Sequence, residues 1–147
     1  METVQTLTNK MAAALNTLQK EYITRGGTVA EWEFRGEVAT ELGYAAPDLI
    51  GVLTFESASD EIYGNKTLRL EGYLGGSLRM GARTPAECEA QLQLLAEVIS
   101  DYLGGLRYTE IGDAVVLQAT CDTVTYSGSA VDSCYAWRLG VEAVVQL

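Results

Sequence analysis

The chain has no histidine among its 147 residues. That excludes Ser/His/Asp and Cys/His catalytic groups, histidine general bases and histidine metal ligands together. Cations are scarce: 10 Lys and Arg stand against 20 Asp and Glu, a net charge of −10. A surface of that sign repels phosphate backbones and anionic lipid, so sequence-reading of nucleic acid is not expected. Cysteine occurs three times, at Cys88, Cys121 and Cys134, without a CxxC pair. This spacing indicates neither a zinc knuckle nor a redox site, and the three thiols are expected to be reduced. No apolar run approaches the roughly 20 residues of a membrane span. The first residues, Met1-Glu2-Thr3-Val4-Gln5-Thr6, lack the basic start of a signal peptide, so a cytoplasmic product is expected. What is present is a hydrophobic fraction of 48%, enough for one core, and the chain reads as a single domain over 1–147.

Val4, Leu7, Met11, Leu15, Leu18 and Tyr22 recur at spacings of three and four, with Gln5, Asn9, Asn16 and Lys20 off the stripe. The spacing predicts one amphipathic helix over 3–25, ended by Arg25-Gly26-Gly27. The period then becomes two. Trp32 and Phe34 alternate with Glu31, Glu33, Arg35 and Glu37, predicting a half-buried strand near 28–39. Further strands are predicted at 50–57 and near 66–75, followed by a glycine-bearing loop over 75–84. Thr84-Pro85-Ala86-Glu87 is a capping box with proline at the first helical position. The helix it opens runs to about Leu103. Its apolar residues span an arc of roughly 200° at about 100° per residue, interrupted by Gln91 alone. Such an arc predicts burial on two sides, with Leu94 and Ala96 at its edges.

The last third reads as a hairpin. Val115, Leu117, Ala119 and Cys121 form one face of its first strand, and Tyr135, Trp137, Leu139, Val141 and Ala143 form one face of its second. Keeping apolar residues together pairs Leu117 with Leu139 and Ala119 with Trp137 around Ser127-Gly128-Ser129. The expected fold is α+β: a mostly antiparallel sheet of about five strands with two main helices packed on one face.

No catalytic, cofactor-binding or metal-binding residue emerges. Gly72-Tyr73-Leu74-Gly75-Gly76 fits no nucleotide-binding loop, and the scattered aspartates fit no calcium loop. Glu31, Glu33 and Glu37 share a strand face with Arg35 nearby, which reads as a solvated or interface face before it reads as paired catalytic carboxylates. Arg79 and Arg83 fall together in the 75–84 loop. They read equally as an ordinary surface loop and as an arm reaching an acidic neighbouring subunit, with Glu31, Glu33 and Glu37 as possible recipients.

The layout resembles the tail terminator, or tail completion, proteins of long-tailed bacteriophages. The similarity lies in the N-terminal helix, the strand Thr67-Leu68-Arg69-Leu70-Glu71-Gly72-Tyr73-Leu74 with its loop, the capped helix from Thr84-Pro85, and the C-terminal hairpin. The resemblance covers most of the chain as a pattern and brings no functional residue with it. It implies a structural virion protein without cofactors or enzymatic activity. Such a protein forms a homo-hexameric ring that caps the tail tube and joins tail to head. Its partners would be copies of itself, the tail tube protein and neck or head-completion proteins, with DNA passing through unbound and no membrane involved. It would be made in the host cytoplasm and end in the virion tail or neck. The alternatives are another neck, tail or baseplate subunit, or a small acidic binding or inhibitor module.

Overall fold

A computed structural model describes residues 4–36, 47–60, 67–129 and 133–147. Three helices and seven strands follow in the order α1 (Val4–Asn16), α2 (Gln19–Thr24), β1 (Trp32–Arg35), β2 (Leu49–Asp60), β3 (Thr67–Arg79), α3 (Pro85–Gly104), β4 (Thr109–Ile111), β5 (Ala114–Cys121), β6 (Thr125–Ser129) and β7 (Cys134–Gln146).

The single N-terminal helix expected over 3–25 is two helices. Thr17 and Leu18 donate to carbonyls three residues back, Ala14 and Leu15, in a tightened turn. Thr17 Oγ1 also bonds the Ala14 carbonyl at 2.6 Å, and the Asn16 side chain is drawn away to β1. Short polar side chains competing for backbone groups are the physical cause of the break. The expected terminator does act at the end of α2: Gly26 takes φ +102°, and Gly27 donates to the Tyr22 carbonyl at 2.9 Å. The second cap forms as the spacing predicts, with Thr84 accepting from the Glu87 amide at 3.2 Å.

The sheet differs from expectation in size, direction and shape. Instead of about five mostly antiparallel strands with two helices on one face, seven strands form a mixed sheet curled into a half-barrel. Its order is β1-β2-β3-β7-β5-β4, with β6 also pairing β7, and β1 runs parallel to β2. Two features cause the curl. Register shifts interrupt β2 after Phe55 and β5 after Val116, and such bulges increase local twist. Glycine also occupies core-side positions of β3. A Cβ at Gly72 would lie 1.9 Å from the Thr54 carbonyl oxygen, and one at Gly76 would lie 1.9 Å from that of Ile50. Strands approaching this closely leave no room for a side chain there. The glycine stretch read as a loop is therefore strand, and β3 continues to Arg79.

The trough is filled by Leu7, Met11 and Leu15 of α1 and by Leu92, Leu95, Val98, Ile99 and Leu103 of α3. Leu70, Leu74 and Leu78 of β3 and the alternating Tyr135 to Val145 of β7 meet them. Each buried leucine contributes about 1.5–3 kcal/mol of transfer free energy. A residual gap of ≈ 10 Å³ among Met11, Leu15, Leu53, Leu74 and Ile99 is apolar and too small for a ligand. Leu94 and Ala96 of α3 are both partly buried, as edges of a two-sided arc should be.

The C-terminal hairpin is longer than expected and differently registered. β5 and β6 lie in succession along one side of β7, so the hairpin turn falls after Ser129 rather than around Gly128. Ala119 faces Ala143 and Trp137 faces Tyr126, replacing the pairings of Leu117 with Leu139 and Ala119 with Trp137. The bulge after Val116 reverses the faces: Ala114, Val116 and Ala119 are buried, while Val115 and Leu117 are only partly covered. Cys121 opposes Val141 and Cys134 opposes Ser129, and all three cysteines are free.

Candidate functional site

Of the carboxylates singled out in the sequence, Glu31 and Glu33 lie among the described residues. Glu31 is exposed ahead of β1, and its carbonyl accepts from the Leu49 amide at 3.1 Å. Glu33 pairs with Arg35 on its own strand at 2.8 Å. Glu37 lies outside the described residues. The two arginines are also separated in role. Arg79 ends β3 with its side chain 56% exposed, 3.7 Å from Asp48. Arg83 is turned inward along the chain, donating to the Thr28 carbonyl and to the Arg79 carbonyl, each at 3.2 Å. The flexible arm is thus a short turn after β3, and only Arg79 faces outward from it.

A constellation that includes Gln5 and Asn16, both off the apolar stripe of the first helix, closes one edge of the sheet. Asn16 accepts from the Phe34 amide at 2.7 Å and donates to the Phe34 carbonyl at 3.0 Å. Gln5 donates to the Gly36 carbonyl at 2.9 Å, and Gln19 donates to the Ala30 carbonyl. Three side-chain amides from α1 and α2 thereby replace a neighbouring strand along the free side of β1. Gln91 plays a similar part in the core: its side-chain oxygen accepts from the Thr28 amide at 2.9 Å and from the Tyr22 hydroxyl. The signal for Gln91 was visible, since it alone broke the apolar arc of α3. For Asn16 and Gln5 there was none, because a polar residue off an apolar stripe ordinarily faces water. Burial pushes the Tyr22 hydroxyl pKa up, opposed by the Val29 and Thr28 backbone bonds and the Arg83 charge.

The convex side of the sheet carries a mixed surface. Ile50, Val52, Arg69, Tyr73, Glu142 and Val144 point to it and are partly exposed, and no described helix covers it. The Arg138 guanidinium stacks 3.8 Å above the Tyr73 ring, and Arg69 pairs with Glu142. Glu71 and Glu142 are direct partners across β3 and β7, and with Asp122 they rim a cleft of about 270 Å³ that includes Gly72, Thr120 and Gly140. This face is therefore acidic around one cleft and apolar near Ile50 and Val52. Among the described residues, no group of three or more Cys, Asp or Glu is placed to hold a metal ion, and no helix is long and apolar enough to cross a membrane.

A second surface feature lies where β5 gives way to β6. A groove of about 680 Å³ runs between the flank of α3, with Gln93, Ala96, Glu97 and Ser100, and the segment from Cys121 to Tyr126. Gln93 Nε2 donates to the Tyr126 hydroxyl at 3.1 Å, joining its two walls. Burial raises the Cys121 thiol pKa, partly offset by a hydrogen bond with Ser100, so the thiol stays protonated near neutrality. Cys88, enclosed under α3, is likewise raised by burial and serves as a small core residue. Compared with known proteins, the chain matches no family model and no curated protein.

Proposed function

We propose that the chain is a structural subunit of a bacteriophage tail, the terminator that forms a ring on the tail tube and joins it to the head. The observation that carries this reading is the convex face of the half-barrel, covered by no described helix, with Ile50, Val52, Tyr73 and Val144 set beside the Glu71, Asp122 and Glu142 cleft. A sheet face that mixes apolar and charged groups and has no helix over it is suited to docking another subunit. A closed ring needs two different patches on each subunit. In this reading the convex face is one, and the corner bearing Arg79 is the other. Arg79 of one copy would grip carboxylates on the next, and the cleft offers Glu71, Asp122 and Glu142 as recipients beside the Glu31 and Glu33 expected from the sequence. Net repulsion at −10 favours placing a cation at such a contact. An acidic ring would also let DNA pass without adhesion.

Native mass spectrometry of the purified chain, alone and with the tail tube protein, tests the reading. A ring of about six copies is expected, dissociated to folded monomers by Arg79→Glu. A monomer at micromolar concentration both with and without the tube protein would overturn the ring. A ring mass unchanged by Arg79→Glu would remove that corner from the contact.

A further inference from the structure

β6 is built to receive a strand. Among the described residues it pairs only with β7, so the backbone groups on its other side have no strand partner. Thr125, Ser127 and Gly128 are exposed, and the strand carries no charge and no proline, the devices that usually blunt an edge. The groove between α3 and Cys121–Tyr126 runs beside it. An unpaired strand next to a helix-walled groove is the geometry used to add an extended peptide to a sheet, where backbone bonds supply affinity and alternate side chains enter the groove.

The groove also indicates the chemistry of its occupant. Its walls include Glu97 and Asp122 and no Lys or Arg. Further along the same flank of α3, Glu89 is close enough to add its charge to the burial that raises the Tyr135 pKa, and Tyr135 packs edge-to-face with Tyr126, centroids 6.2 Å apart. The apolar floor comes from Ala96, Cys121, Val124 and Tyr126. We infer that the β6 edge and this groove bind an extended segment of a partner protein, one whose groove-facing positions carry small apolar residues together with lysine or arginine. The segment adds as a strand to β6, sets its apolar side chains on Val124 and Tyr126, and places its cations against Glu97 and Asp122. This inference does not rest on the ring: the two sites share only Asp122, and the tests below read Glu97 and the β6 backbone, so either can fail alone.

The probe is a fluorescein-labelled hexapeptide, Val-Lys-Val-Thr-Lys-Val, capped at both ends and titrated with the full chain by fluorescence anisotropy. The control carries glutamate for lysine. The lysine peptide is expected to bind at least about tenfold tighter than the control at low salt, with the difference shrinking as salt is added. Glu97→Lys, at an exposed position of α3, should weaken the lysine peptide several-fold while leaving the circular dichroism unchanged. Methylating alternate peptide nitrogens along one edge should abolish binding, and methylating the opposite edge should not. Hydrogen exchange should show new protection at 125–129. No binding up to about 1 mM peptide, equal binding of both peptides, or protection confined to other strands would each overturn the proposal. So would protection of 125–129 that rises with protein concentration in the absence of peptide, since the occupant would then be a second copy of the chain.

Discussion

Among the described residues β1 and β6 are both short and each, like β4, pairs with a single strand, yet β1 and β6 are treated in opposite ways. β1 is sealed on its free side by the amides of Gln5, Asn16 and Gln19, which satisfy the Phe34 amide and three backbone carbonyls. Among the described residues only the Gln93 bond to the Tyr126 hydroxyl reaches over to β6 from α3, and it engages a side chain rather than the strand backbone. An open strand edge invites uncontrolled pairing, so a chain that closes one edge with three residues has the means to close the other. Of these two strands β1 is the one closed by side chains, and β6 is the one proposed to receive a partner.

The largest effect should come from the core beneath both edges. Leu95→Ala removes a side chain that is 1% exposed and packed between α3 and the sheet, and is expected to cost about 2–5 kcal/mol in urea denaturation. Both edges should gain hydrogen exchange together, since they share this core. Next is the sealed edge itself. Asn16→Ala leaves the Phe34 amide and carbonyl without their partner, for an expected loss of about 1–3 kcal/mol. Exchange should rise at 32–35 and not at 125–129, and self-association should increase as β1 becomes a second open edge. If β1 exchange is unchanged, the amides do not seal it. Gln91→Leu strips the acceptor from the Thr28 amide and the Tyr22 hydroxyl, with an expected loss of about 1–2 kcal/mol. This effect should be confined to the α2–β1 side, which a comparison of exchange at 22–29 and 125–129 would reveal. The smallest effect belongs to the open edge. Ser127→Lys, at an exposed β6 position, should change stability by less than about 0.5 kcal/mol. A loss comparable with that of Asn16→Ala would mean that β6 is structurally engaged rather than free.

Much of the fold was legible because local rules had no competitor. The Thr84-Pro85-Ala86-Glu87 cap, the Gly26-Gly27 terminator and the period-two face of Tyr135 to Ala143 follow from bonds and spacings within a few residues. The candidate contacts were less legible. Proximity in the chain groups Arg83 with Arg79, but Arg83 bonds Thr28, fifty-five positions away. Alternation places Leu117 with Ala119, but one bulge after Val116 moves it to the other face. Strict alternation cannot anticipate an inserted residue, because the signal of the bulge is the mate strand's register rather than the strand's own sequence.

By itself the sequence determined the acidic balance, the absence of histidine chemistry, the two amphipathic helical regions and most of the buried stripe, all properties of composition and short-range period. Tertiary structure alone decided that β3 runs on through Gly76, that the sheet curls, that β5 and β6 line up on one side of β7, and that the β1 edge is closed while β6 has no second strand partner among the described residues. Those outcomes depend on which strands become neighbours and how closely their backbones approach. A glycine or an asparagine has the same local preferences in either setting, and only the partner across the sheet determines which of them is used.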